Sequence, residues 1–394
     1  MIMNPIVKAP AVDLDLYAES VLEDSRGAFA RIRDEAPAVW LPRHRMHAMG
    51  RFSGVRAALR DDATFRSGAG VAANPLSNRI GRDTTLFSDD ETHTKRRKVM
   101  MRSLGAKALS DIEGRVDAQA VELIDRLCAH DWFEASTDFS AHLPLSIVAD
   151  RVGVRQDGQR MLRWAAATFD SLGPINRRGL RAARTSIGLL AYTRRLDERR
   201  VRPGSWAASV FEARDRGELT TTEAKALCID FVAPALDTTI LASTRLLWVL
   251  ARNPDARQRI RQDPDSIPRA VVENVRLASP IRGFTRTVAR DHEVDAIPLA
   301  AGARVAILFG AANLDEREFD DPERFDPTRE NKVQLGWVNG AHTCVGIHLA
   351  KIEMQALLRA MVDRVQAIEV GTPERLHNNT LQGVAHVPAR FIPV

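Results

Sequence analysis

One cysteine, Cys344, stands in Trp337-Val338-Asn339-Gly340-Ala341-His342-Thr343-Cys344-Val345-Gly346, with glycines on both sides. The chain continues as Ile347-His348-Leu349-Ala350-Lys351-Ile352-Glu353-Met354, which keeps apolar residues at helical spacing. A cysteine at the start of a helix meets the positive end of the dipole and free backbone N–H groups, which favour thiolate over thiol. Gly340 and Gly346 allow tight turns and a close approach to something flat and bulky. A thiolate presented in this way is a candidate axial ligand to haem iron, to which it donates electron density. The plain alternative is a small buried hydrophobe, the common fate of a free cysteine.

Three further constellations carry possible chemistry. The segment 222–252 is apolar at helical spacing and contains Ala233-Pro234-Ala235-Leu236-Asp237-Thr238-Thr239-Ile240. A proline inside a long helix removes one backbone bond and opens the chain locally. An acid and a hydroxyl just beyond such an opening can hold water and pass protons; the alternative is that they cap the freed groups. Glu273 and Arg276 lie three apart on one helix face, a spacing that permits an ion pair and, taken alone, is common on surfaces. His93 and Arg97 lie four apart, side by side on a helix, where two donors can converge on a carboxylate pair.

The elements that must position these groups are mostly helices. Apolar residues repeat at i, i+3 and i+4 near 108–130, 142–153, 180–200, 222–252, 268–278 and 344–365. Strand-like alternation appears in 39–49, in 293–308 and in the tail 381–394. Gly68-Ala69-Gly70 lacks the third glycine and following helix of a dinucleotide cradle, and no phosphate loop is present. The reading is therefore a mainly α chain with small peripheral sheets. At 394 residues with 45% apolar and 27% charged residues, the composition is that of an ordinary soluble chain. Three cysteines give no disulfide framework. The first eight residues are too short and too broken for a leader, and no apolar run has the length of a membrane span; the expectation is a cytoplasmic protein with no membrane partner. The net charge of +5 gathers in 95–98 and 194–200, where nearby acids and the lack of aromatics indicate solvated helix faces rather than nucleic-acid binding.

The cysteine string resembles the cysteine loop of the cytochromes P450, Phe-Gly-x-Gly-x-His/Arg-x-Cys-x-Gly, with Trp337 at the Phe position and Val338 at the first Gly. Asp237 and Thr238 match the acid–alcohol pair of that family's oxygen-binding helix, with Pro234 and Ala235 at its glycine positions. Glu273 and Arg276 match its Glu-x-x-Arg pair, and Arg324 in Pro322-Glu323-Arg324-Phe325 matches the arginine that completes a structural triad. The resemblance covers nearly the whole chain. It implies one P450 domain over 1–394, with a β-rich lobe mainly in 35–65 plus parts of 280–310 and 375–394, and helices elsewhere.

The same resemblance implies haem b, with Cys344 as the iron ligand and Gly346 beside it. His93, Arg97, Arg286 and His342 are the implied propionate partners. Asp237 and Thr238 take the proton-delivery role in O2 activation. Electrons would come from a ferredoxin and its ferredoxin reductase, docking on the cysteine side near Lys98, Arg102, Lys107 and Lys351.

Phe169-Asp170-Ser171-Leu172-Gly173-Pro174, Leu236-Asp237-Thr238-Thr239 and Asn378-Asn379-Thr380-Leu381 look most like the branch oxidising para-substituted aromatic acids. The implied reaction is hydroxylation or O-demethylation of a small aromatic. The expected pocket is Leu86, Phe169, Leu172, Val232, Ala235, Ile281, Phe284 and Leu381, each with plain core packing as its alternative. Ile229 and Asp230 occupy positions where that branch anchors a carboxylate; Asp230 would repel one, and Arg82 or Arg282 is the expected replacement. A neutral aromatic, a terpenoid or other secondary metabolite, and a non-catalytic haem- or ligand-binding protein are the alternatives.

Overall fold

The helix Ala233–Arg252 runs through the main core and buries Leu236, Ile240, Leu246, Leu247 and Leu250. Each such side chain contributes about 1.5–3 kcal/mol on burial. That outweighs the few tenths of a kcal/mol by which Thr238, Thr239, Thr244 and Val249 disfavour helix. Around it pack His142–Arg151, Gly158–Leu172, Ile267–Ala278 and Ile347–Arg364, and Glu113–Cys128 lies against the last of these. The computed structural model describes residues 8–154, 156–330 and 333–394. The N-terminal run read above for a leader lies, through residue 7, outside the described residues.

The expected single helix over 222–252 is two helices. The first, Thr221–Asp230, opens with a capping box between Thr220 and Glu223. Phe231 and Val232 form a turn, and the second helix begins at Ala233 with Pro234 in its first turn. The proline ring would clash with the carbonyl four residues back, at Asp230, where the first helix ends. In its new place the missing N–H is one that no helical carbonyl would have accepted. Pro234 therefore starts a helix instead of kinking one. Thr221–Arg252 together has the length and apolarity of a membrane span, and 61% of that window is buried inside the fold.

A five-stranded sheet forms the second layer. Val39–Leu41 pairs antiparallel with Met46–Met49, which runs parallel to Arg304–Ile307; Phe284–Val288 and then Phe65–Arg66 complete it. Its apolar cluster includes Phe52, Val55, Phe284, Val288, Val305 and Ile307. Phe284 faces Ile307 and Arg286 faces Val305 across one strand pair, and this pairing sets Arg286 at a fixed depth.

The tail expected in the β-rich lobe divides. Leu381 bridges to Ile281 on the sheet side. Pro388–Pro393 pairs with Val365–Val370 and Phe133–Glu134, and places Phe391 in the helical core. Phe391 is a large apolar side chain on the strand face turned to the helices, and its rings meet Phe133 and Phe139 edge-on.

Candidate active site

Cys344 lies just ahead of the helix Ile347–Arg364, in a loop shaped by backbone requirements. Its N–H donates to the Trp337 carbonyl at 2.9 Å. Gly340 has φ 85, and a Cβ there would sit 2.3 Å from the Leu59 carbonyl oxygen. Val338 has φ 64, a left-handed backbone that a β-branched residue enters at a cost of about 1–2 kcal/mol. The position the resemblance gives to glycine therefore has a geometric demand, and valine meets it under strain. Burial pushes the Cys344 thiol up, while the Gly346 N–H and Arg97 pull the other way. Gly340→Ala is expected to cost about 3 kcal/mol, from left-handed strain plus the Leu59 clash. Denaturant titration would measure it, and an unchanged midpoint would contradict this loop geometry.

The four expected cationic groups converge on this loop from three elements. His93 and Arg97 come from the helix Asp90–Leu104, Arg286 from Phe284–Val288 and His342 from the loop itself. Arg97 donates from Nη1 to the Thr343 carbonyl at 2.6 Å. The His93 and His342 rings lie 4.1 Å apart between centroids. Arg286 is 3% exposed and donates to the Thr285 carbonyl. Burial pushes His93 down to about 4, helped by His342 and Arg97, and pushes Arg286 down to about 10. Nε2 of His93 and Nε2 of His342 are buried without a hydrogen-bond partner. Buried polar nitrogens left in that state cost about 1–3 kcal/mol each, so the cluster suits hydrogen-bonding groups from elsewhere. A porphyrin carrying two carboxylates fits this donor set, with a half-buried sulfur for its metal.

Asp89 belongs to the cluster and escaped sequence reasoning. Its carboxylate accepts from the N–H groups of Ser67 and Gly68 at 2.9 and 2.8 Å and lies 3.9 Å from His342 Nε2. Burial works to raise its carboxyl, but His342, those N–H groups and Arg66 hold it below the ordinary range. Asp89 stands at the N-cap of the Asp90 helix but makes no side-chain cap bond to that helix end.

Asp237 and Thr238 sit in the first two turns of the central helix. Oδ2 of Asp237 is buried without a partner. Burial, and then Asp170, raise its carboxyl to about 7. Thr238 donates to the Pro234 carbonyl at 2.8 Å, so its hydroxyl is tied back to its own helix.

Glu273 and Arg276 form a bidentate buried pair, 2.8 Å on both arms. Arg276 also donates to the carbonyls of Asn313 and Pro322 and lies over the Phe319 ring. The arginine that completes the cluster is Arg329, whose Nε lies 3.1 Å from Glu273. The expected Arg324 is 62% exposed and pairs with Asp321 and Asp326. Both belong to the turn 320–329, and only the later one folds back over the carboxylate. The cluster reaches the cysteine loop directly, because Asn313 accepts the Leu335 N–H at 2.8 Å.

Among the expected pocket residues, Phe169, Leu172, Phe284 and Leu381 share one apolar cluster, with Leu86 and Ile281 packed against it. Val232 and Ala235 join the helical core instead. Neither expected anchor is placed to meet a carboxylate. Arg82 is exposed. Arg282 is buried, with its two ends on the Leu16 and Asn379 carbonyls. Asp230 accepts the Thr85 N–H at 2.8 Å and straps the 82–89 loop to the helix behind it; burial raises its carboxyl to about 6 against that bond. On the cysteine side Lys98 and Lys107 are exposed, Arg102 is paired with Glu218, and Lys351 lies over the Trp337 ring at 5.2 Å.

Comparison with known proteins agrees with this geometry. The Cytochrome P450 family model matches residues 196–391. CYP199A2 of Rhodopseudomonas palustris is 32% identical over 391 residues, covering 98% of this chain and 95% of that protein. Linalool 8-monooxygenase of Pseudomonas putida is 27% identical, covering 99% of each. The solved structure of Mycobacterium marinum CYP268A2 in complex with pseudoionone superposes with a TM-score of 0.86 at 25% identity, over 97% of this chain and 99% of that one. With a relative this similar along its whole length, the chain belongs to the cytochrome P450 family of haem b monooxygenases.

Proposed function

We propose that this monooxygenase oxidises a small, neutral, hydrophobic aromatic, by hydroxylation or O-demethylation, with electrons from a ferredoxin and its reductase. The observation that carries the substrate class is an apolar cluster beside which Arg282 has both terminal nitrogens held by backbone carbonyls and Arg82 is exposed. Arg282 keeps only Nε without a partner, its Nη1 and Nη2 being held by the Leu16 and Asn379 carbonyls. Buried Asp230 adds an acid at the place where a carboxylate anchor is expected. A carboxylate would lose its hydration there without a partner, which costs several kcal/mol.

In this reading Cys344 would bind the iron of haem b, and His93, Arg97, Arg286 and His342 would hold its propionates. The bound group supplies the activation of O2. The protein's own part is positioning and proton control. The nitrogens of His93 and His342, buried without a hydrogen-bond partner, would receive the group's carboxylates. Phe169, Leu172, Phe284 and Leu381 exclude water and orient the ring of the substrate. Asp237 Oδ2 holds a proton near neutrality and can pass it inward, with the Thr238 hydroxyl one residue away. Lys98 and Lys107 offer positive charge to an acidic electron carrier on the opposite face.

A spin-shift titration of the purified protein with paired ligands tests the substrate class. Neutral phenol ethers are expected to shift the Soret band at concentrations at least about tenfold below their benzoic acid counterparts. A shift by the acids alone would reverse the assignment. A shift by terpenoid alcohols alone would favour the second class, to which the likeness to linalool 8-monooxygenase points. Failure of any bound substrate to speed NAD(P)H consumption with reconstituted partners would favour the non-catalytic alternative.

A further inference from the structure

We propose that the face made by the helix Pro75–Gly81 and the outer side of the helix Arg177–Arg194 binds an anionic lipid surface. Between Asp170 and Asp197 the chain has six arginines (177, 178, 181, 184, 194, 195) and neither an acid nor a lysine. Helical geometry puts Arg177, Leu180, Arg181, Arg184 and Ile187 on one side of the second helix. Its other side buries Ala182, Leu189 and Thr193. Ile175, Leu180 and Ile187 are 65%, 64% and 64% exposed.

The shorter helix adds Leu76 at 59% and Ile80 at 46%, with Arg79 and Arg82 exposed beside them. The two helices are stitched together at one residue. The Ser77 hydroxyl donates to the Ser171 carbonyl at 2.6 Å, and the Ser171 hydroxyl lies 2.9 Å from that of Ser186. Asn74 adds bonds to the carbonyls of Ser171 and Gly173.

Single exposed leucines need no explanation, but a set on one face does. Five of the eight large apolar side chains exposed among the described residues fall here. Leucine and isoleucine interleaved with arginine is the pattern of an interfacial helix: apolar groups enter the acyl boundary and guanidiniums remain at the phosphates. An acidic protein partner would be met by the arginines but would leave the five apolar groups without a role. Nucleic acid would call for aromatic stacking groups, and this face has none. The Ala73 N–H donates to the Leu172 carbonyl, so the face adjoins the apolar cluster that contains Leu172. A substrate dissolved in lipid would then be collected at the surface where it partitions.

The test is sedimentation of the haem-loaded protein with vesicles of phosphatidylglycerol or of phosphatidylcholine. Partition onto phosphatidylglycerol is expected, at least about tenfold weaker on phosphatidylcholine, and falling with salt. Arg177→Glu/Arg181→Glu/Arg184→Glu and Ile175→Ser/Leu180→Ser/Ile187→Ser should each lower it at least about tenfold. The Soret spectrum and the spin shift with a water-soluble phenol ether should stay unchanged. Leu76→Ser/Ile80→Ser, on the other helix, gives the same readout should a triple variant misfold. Equal binding to both lipids, no vesicle binding, self-association abolished by the triple serine variant, or salt-sensitive capture of an acidic protein without vesicle binding would each overturn the proposal.

Discussion

The Glu273→Gln protein is expected to lose about 3–5 kcal/mol of stability and to retain little haem. Glutamine has the same shape, so the effect isolates charge. The carboxylate takes both arms of Arg276 at 2.8 Å, Nε of Arg329 at 3.1 Å and the Asp326 N–H at 3.3 Å. Glu273 and Arg276 are 4% and 2% exposed, so two guanidiniums would be left in a dry site without their counter-charge. The damage would reach the cysteine loop through Asn313 and Leu335, and through the packing at Gly336, where an added Cβ would lie 2.9 Å from the Val275 carbonyl oxygen. Denaturant midpoint and the ratio of Soret to protein absorbance measure the two effects. Arg329→Ala should destabilise by about 1–3 kcal/mol, and Arg324→Ala should stay within about 0.5 kcal/mol because exposed pairs contribute little. The reverse order, or an unshifted midpoint for Glu273→Gln, would mean that the carboxylate does not bind this part of the fold together.

The contrast between Arg324 and Arg329 marks where sequence reasoning runs out. Local spacing made His93 and Arg97 visible, since two positions four apart on a helix are neighbours whatever the rest of the fold does. Cys344 was visible for a related reason: its glycines and the helix after it are contiguous in the chain. Arg324 and Arg329 share one turn, and which of them reaches Glu273 depends on how 320–329 folds, a fact that no local pattern carries. Arg286 and the β-rich character of parts of 280–310 follow from the resemblance, but alternation does not mark its strand, because Phe284-Thr285-Arg286-Thr287-Val288 buries polar residues on both faces. Asp89 has no local signal, because its partners Ser67, Gly68 and His342 are distant in the chain. The break at Phe231–Val232 was hidden by continuous apolarity, and only the steric demand of Pro234 on Asp230 could have located it. Lys95-Arg96-Arg97-Lys98 looked like a solvated face. In the fold Arg96 is 5% exposed on Glu223 and Arg97 reaches the cysteine loop.

Asp237→Asn is expected to lower turnover about 10²-fold and, in the same protein, to raise stability above neutral pH. Both effects follow from one buried carboxyl. Its ordinary value of 3.8 applies to the unfolded chain, and burial with Asp170 nearby raises the folded value to about 7. Between those values the folded chain holds a proton that the unfolded chain has released. The resulting stability is complete below pH 3.8, declines as pH rises and is gone once the folded group has ionised, above about pH 7. Asparagine never ionises, so the variant lacks this decline and should exceed the wild type by about 4 kcal/mol at pH 8. Asp170, also raised by burial, contributes with the same sign in both proteins, and because its charge acts on Asp237 the difference between the curves reports Asp237 together with that coupling. The charges of Arg178 and Arg282 act on Asp170 and are likewise common to both. Turnover falls for the complementary reason. An amide occupies the site of Oδ2 but cannot hold and release a proton, so product formed per NAD(P)H consumed should drop with the rate. Parallel stability curves from pH 4 to 8 would show that Asp237 ionises freely in the folded state. Unchanged coupling would show that protons reach the site by a route that avoids Oδ2.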